Sequence, residues 1–129
     1  MERQNVSSGT KWENIVGYSR AVRMGPFVFV SGTTAVDDAG NLVGPGDAYA
    51  QASFIFQKIN KALQATGASL KDVVRTRMYL INVADWEDVC RAHSEALSDV
   101  LPVSTLVEVS ALITPEMLVE IEVDALIGD

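Results

Sequence analysis

From Val103 to Val109, and again from Val119 to Ala125, apolar and polar residues alternate with period two. Both runs are rich in β-branched side chains, the pattern of half-buried strands. A short connection containing Ile113-Thr114-Pro115-Glu116 separates them, so the chain is expected to close on a strand pair. In the second run Val119, Ile121, Val123 and Ala125 point one way, and Glu120, Glu122 and Asp124 point the other. Three like charges on one strand face are costly unless that face meets water, cations or a binding cleft.

Earlier segments supply the rest of a sheet. Residues 1–13 are polar and expected to be loosely ordered or loosely strand-like. Tyr18 to Arg23 alternates, Met24-Gly25-Pro26 makes a turn, and Phe27 to Ser31 is a strand apolar on both faces;. Asp47 is a good N-cap for a helix whose stripe is Tyr49, Ala52, Phe56, Ile59 and Leu63, with Gly67 as its stop;. Asp72 to Asn82 then reads as a strand. Val74, Thr76, Met78 and Leu80 fall on one face, and Arg75, Arg77, Tyr79 and Ile81 on the other. Asp85 is expected to cap a second helix with the stripe Trp86, Val89, Cys90, His93 and Leu97.

The order β-β-α-β-α-β-β favours an α+β sheet with both helices on one face. The other face would carry Arg75, Arg77, Tyr79, Glu120, Glu122 and Asp124 beside Phe27 or Phe29. That mixture is too apolar for water and too charged for a private core, so a homo-oligomer of closed symmetry is expected.

At 129 residues the chain is expected to be a single domain, and its net charge of −7 disfavours nucleic acid and anionic membranes as partners;. The single cysteine, Cys90, excludes an internal disulfide and fits a reducing compartment;. The first residues have no apolar signal-peptide core and no run reaches membrane-spanning length, so a cytoplasmic location is expected;. One histidine, one cysteine and scattered acids show no metal-ligand spacing;. Gly44-Pro45-Gly46 lacks the spacing of a phosphate loop and reads as a turn. No basic or aromatic platform suggests RNA binding.

Three segments together resemble the RidA/YjgF (reactive intermediate deaminase) family. They are Gly17-Tyr18-Ser19-Arg20-Ala21-Val22-Arg23 with Val28-Phe29-Val30-Ser31-Gly32-Thr33, then Gly67 to Val74, then Val107-Glu108-Val109 with Leu118-Val119-Glu120-Ile121-Glu122. The resemblance covers about residues 16–126 in order. It implies a chorismate-mutase-like homotrimer with clefts between subunits, and hydrolysis of enamine or imine intermediates without a cofactor. Carried over by position, it implies Glu120 as the carboxylate that holds the attacking water, Tyr18 as its neighbouring tyrosine, and Ser31-Gly32-Thr33 as a substrate-binding turn. Where the family commonly has Pro-Ala-Arg-Ser, this chain has Pro102-Val103-Ser104-Thr105. Ser104 thus takes the place of an arginine that pairs with a substrate carboxylate, as guanidinium geometry suits.

Each candidate has a plainer reading beside it. Glu120 could pair across strands with Arg75 or Arg77. Arg77, Arg75 or Arg20 could replace the missing cation, or the first two could simply neutralise the acids. Ser104 and Thr105 could offer hydroxyls to a ligand or be ordinary strand residues. Cys90 and His93, one helical turn apart, are expected as a packed thiol and a packed imidazole. The expected function is binding of a small polar metabolite in intersubunit clefts, with hydrolysis of a carbon–nitrogen bond. The alternative is a non-catalytic ligand-binding or protein-protecting module on the same trimer.

Overall fold

The computed structural model describes residues 1–128. Six strands, β1 (Arg3–Val6), β2 (Ala21–Met24), β3 (Phe27–Thr33), β4 (Val73–Leu80), β5 (Val103–Glu108) and β6 (Val119–Leu126), form one mixed sheet. Their order is β1-β2-β3-β6-β4-β5, antiparallel throughout except for the parallel pair β4–β5. Helices α1 (Lys11–Val16), α2 (Ala48–Ala65) and α3 (Trp86–Leu97) complete the fold.

Local chemistry explains most of these elements. Asp47 accepts a hydrogen bond from the Ala50 amide at 3.0 Å and so starts α2;. Gly67, at φ 90°, ends it in the left-handed conformation that glycine adopts without strain;. Gly25-Pro26 closes the β2–β3 hairpin, with Met24 paired to Phe27. Strand β6 alternates as its sequence demands, burying Val119, Ile121, Val123 and Ala125. Their partners are Ile55, Ile59 and Leu63 of α2, Val89 and Leu97 of α3, and Val28, Met78 and Leu80 of neighbouring strands. Each buried valine or isoleucine contributes about 1.5–3 kcal/mol relative to exposure. Helices α2 and α3 therefore sit together on one face, as expected.

Five expectations change. The last two strands are not hydrogen-bonded to each other: β4 lies between them, pairing parallel with β5 and antiparallel with β6. The loosely ordered start contains edge strand β1 and the beginning of α1, so the order is β-α-β-β-α-β-α-β-β. Val74 is exposed rather than inward, because an irregularity between Val73 and Arg75 shifts the register there and Val73 takes the buried position. In α3 the buried positions are Val89, Ala92 and Leu97, while Trp86 is 51% exposed. Asp85 makes no cap bond. Asn82 instead accepts from the Ala84 amide at 3.0 Å and starts the short turn leading into the helix.

The face away from the helices is the mixed one anticipated. Phe27 and Phe29 are 45% and 49% exposed there, so β3 is covered on only one side within this chain. Val103, Val107 and Leu126 are exposed as well.

Candidate functional site

The three acids on the open face of β6 meet three different fates. Asp124 takes both arginines, with Arg77 Nη1 at 3.3 Å and Arg75 Nε at 3.9 Å. Glu122 accepts from the Tyr79 hydroxyl, a bond that, followed by burial, raises the tyrosine's pKa. Glu120 receives no side-chain hydrogen bond among the described residues, although it stands opposite Tyr79 in register. The pairing of Glu120 with Arg75 or Arg77 that charge alone allowed is therefore not made.

Glu120 lies instead against the end of β3. A Cβ added to Gly32 would fall 2.5 Å from Glu120 Oε2, so only a residue without a side chain lets the carboxylate lie there;. Burial raises the Glu120 pKa; Arg20 pulls it down and Glu122 pushes it up;. A carboxylate so placed is a better base than one in water.

Gly32 belongs to an irregularity of β3 between Val30 and Thr33, and its surroundings are held by hydrogen bonds. The Ser31 hydroxyl donates to the Ser19 carbonyl at 2.6 Å and the Thr33 hydroxyl donates to the Ser31 carbonyl at 2.8 Å. Behind the turn, Arg20 donates from Nη2 to the Gly32 carbonyl at 2.9 Å and from Nη1 to Thr33 Oγ1 at 3.3 Å. Burial lowers the Arg20 pKa, while the charges of Tyr18, Glu13 and Glu120 oppose that shift. Arg20 is thus a half-buried cation serving the turn, and its Nε has no partner among the described residues.

Tyr18 is positioned by α1. Gly17, at φ 88°, ends that helix with its amide on the Glu13 carbonyl, and the Tyr18 amide reaches the same oxygen at 3.0 Å. The Tyr18 ring lies 5.8 Å from the Arg20 guanidinium;. Glu13 is itself only 5% exposed. Burial opposes its charge, but the Ser8 hydroxyl and amide, Ser7 and Thr10 all donate to it and hold its pKa below the ordinary value. Tyr18, Ser19, Ser31, Val22 and Asn5 line a cleft of about 560 Å³ on the open side of the sheet. Glu13 was absent from the sequence reading, though Thr10 and Glu13 have the spacing of a capping box that would have marked it.

The sequence candidates therefore form two groups. Tyr18, Ser31, Gly32, Thr33 and Glu120 gather around the end of β3. Arg77, Ser104 and Thr105 lie on β4 and β5, with β6 and β4 between β3 and β5. At about 4.8 Å per strand, β5 is roughly 14 Å across the sheet from β3. The second group is also divided by the sheet. Thr105 pairs with Arg77 on the open face, whereas Ser104 pairs with Thr76 on the helix face. The Thr76 hydroxyl donates to Ser104 Oγ at 2.8 Å and stands 2.9 Å from His93 Nε2. His93 packs edge-on against Phe56 with ring centres 5.7 Å apart, and makes no hydrogen bond to Cys90. Burial lowers the imidazole pKa and raises that of the Cys90 thiol, the opposite of what an activated nucleophile–base pair needs;. Among the described residues no group of three or more histidine, cysteine or acidic side chains could hold a metal, and no helix is long and apolar enough to cross a membrane.

Comparison with known proteins identifies the family. Residues 9–127 match the family described as Endoribonuclease L-PSP. An uncharacterized Streptomyces coelicolor protein is 39% identical over 125 residues, covering 97% of this chain and 92% of that one. The 3-aminoacrylate deaminase RutC of Acinetobacter baylyi is 32% identical over 104 residues, covering 81% and 82%. The crystal structure of a Mycobacterium tuberculosis member of the YjgF/YER057c/UK114 family aligns with a TM-score of 0.90 and 46% identity, over 98% of this chain and 100% of that one. With its motifs, its sheet order and these relatives in agreement, the chain belongs to the RidA/YjgF family.

Proposed function

We propose that the protein is a homotrimer that binds a small polar metabolite between subunits and hydrolyses an enamine or imine carbon–nitrogen bond. The observation that carries this reading is Glu120, the one acid of its strand face with no side-chain donor, laid on Gly32 beside the Tyr18–Ser31 cleft. Glu120 would take a proton from water as the oxygen adds to the imine carbon and pass it to the nitrogen, giving a carbinolamine. The remaining hydroxyl proton would follow by the same route, so that the C–N bond breaks to leave a carbonyl and ammonia. Tyr18 and the Ser31-Gly32 part of the turn would hold the substrate, with Thr33, 1% exposed, bracing the turn from beneath. The cleft is shared in this reading because β5 is too far from Glu120 within one chain, while a neighbouring subunit could bring the Ser104 side of its own edge strand β5 to it. The exposed Phe27, Phe29, Val103 and Val107 give such an assembly apolar area to bury;.

A non-catalytic ligand-binding module on the same trimer is the second reading. What favours it is that Arg75 and Arg77 are engaged by Asp124 and Arg20 is committed to the turn, so none of these cations is left for substrate.

The test is ammonia release from 3-aminoacrylate and from its amide, 3-aminoacrylamide, using protein whose mass in solution has been measured. Acceleration of either, abolished in a trimeric Glu120→Gln variant, supports the enzyme. A trimer that accelerates neither supports the binding module, and a stable monomer at micromolar concentration refutes the shared cleft.

A further inference from the structure

The hydroxyl chain on β5 says more about the ligand than the acidic end of the site does. Ser104 is exposed, Thr76 beside it on β4 is fully buried, and His93, half-buried on α3, packs against Phe56 of α2. Thr76 has one hydroxyl proton to give. While that proton goes to Ser104, His93 Nε2 must carry its own proton and donate to Thr76, which leaves the Ser104 proton free to point outward. With the imidazole in its other tautomer the chain reverses. Ser104 then donates to Thr76, Thr76 donates to Nε2, and only lone pairs face outward. The exposed end can therefore act as donor or acceptor without any change of charge.

No cation supports that end from its own strand or the adjoining one. Arg75 and Arg77 flank Thr76 on β4 but point to the opposite face and are held by Asp124. The charged residue on Ser104's side of β5 is Glu108, whose carboxylate accepts from the Val83 amide at 2.9 Å. A lone hydroxyl with no cation on its own or the adjoining strand does not offset the cost of desolvating an anionic ligand.

We propose that Ser104, tuned through Thr76 and His93, is a specificity-determining contact that selects a neutral ligand group, a carboxamide or carbonyl, over a carboxylate. The proposal rests on the shared cleft above only for bringing Ser104 to the ligand, and it narrows the substrate class to neutral enamines and imines.

The experiment uses the fact that His93 is the only histidine in the chain. Protein labelled with ¹⁵N-histidine is titrated with pyruvamide and with pyruvate, which differ only in carboxamide against carboxylate. Binding is followed together with the two ring-nitrogen shifts. The expected result is at least about tenfold tighter binding of pyruvamide, a preference on the scale of one net hydrogen bond, accompanied by a shift at Nε2. Both should disappear in Ser104→Ala and in Thr76→Val, which cut the chain at two different points. Equal or tighter binding of pyruvate, binding without a ring-nitrogen shift, or no binding of either probe would overturn the proposal. The hydrolytic reading is judged separately, by ammonia release with Glu120→Gln, so either can fail while the other stands.

Discussion

Replacing Gly32 with alanine tests the placement of Glu120 directly. Gly32 is not in the left-handed region, so an alanine there carries no backbone strain. The added Cβ would lie 2.5 Å from Glu120 Oε2 and 3.1 Å from Cδ. An ordinary C–H···O contact is about 3.3 Å, so the carboxylate must retreat by about 0.8 Å. The retreating atom is the end of a flexible side chain, and twisting it off its rotamer costs about 0.5–1.5 kcal/mol. Glycine-to-alanine exchange restricts the unfolded chain and returns about 0.4–1 kcal/mol. The net change in stability should therefore be close to zero. The functional change should not be: misplacing a reacting group by about 1 Å can cost on the order of a hundredfold in rate. Urea unfolding of Gly32→Ala in the wild-type and Glu120→Ala backgrounds isolates the contact. With Glu120 truncated, Gly32→Ala should become stabilising by about 0.4–1 kcal/mol. The same change in stability in both backgrounds, or full ammonia release by the single variant, would refute the reasoning.

Three further outcomes follow from the electrostatics. Glu120 has a raised pKa, so the folded state holds its proton to higher pH than the unfolded one and stability falls as pH rises through that window; Glu120→Gln should be more stable than wild type at pH 7 and equal to it in acid below pH 4.5, measured by urea midpoints;. Glu13 is the reverse case, since its lowered pKa gives stabilisation that is present above 4.5 and lost as pH falls through the lowered value. Glu13→Gln should cost about 1.5–3 kcal/mol at pH 7, the range for hydrogen bonds to a charged group, and the difference should close in acid. Lys58 donates to the Thr34 carbonyl at 2.7 Å, and burial, then Arg20, lower its pKa from 10.5 to about 8. The folded state therefore binds fewer protons between those values and stability should rise with pH across the window, a slope that Lys58→Met should flatten in thermal melts.

Much of this architecture is written in local pattern. Strand β6 declares both its faces through strict alternation, and Gly25-Pro26 and Asp47 mark a hairpin and a helix start through fixed backbone chemistry. What the pattern could not carry was long-range pairing. Nothing in Val103–Glu108 or Val119–Leu126 says that β4 will insert between them, because a parallel partner is chosen by the packing of α3 and the whole sheet rather than by a turn. That Ser104 and Thr105 face opposite sides follows from strand alternation alone, but which of them faces the helices follows from that pairing and was hidden with it. Polar edge strand β1 gives little periodic signal, and its place is fixed by hydrogen bonds to β2. Arg20 was legible only as one arginine among several, since its burial depends on where the Gly32 carbonyl ends up.

The unequal treatment of the three acids also answers why a strand would keep them. Asp124 and Glu122 have partners on β4 and need nothing more from the rest of the molecule. Their pairing removes Arg75, Arg77 and Tyr79 from the reach of Glu120, which is left with a glycine beneath it and a half-buried arginine behind the turn. Arg20 lowers the cost of charge on Glu120 without hydrogen-bonding to it, so the carboxylate oxygens stay available to water or ligand. If the acids served only to balance the arginines, Asp124 would suffice and an apolar residue at position 120 would cover the turn better. A stability gain in Glu120→Gln at neutral pH would measure that retained cost and would support the proposal that this position works on something outside its own chain.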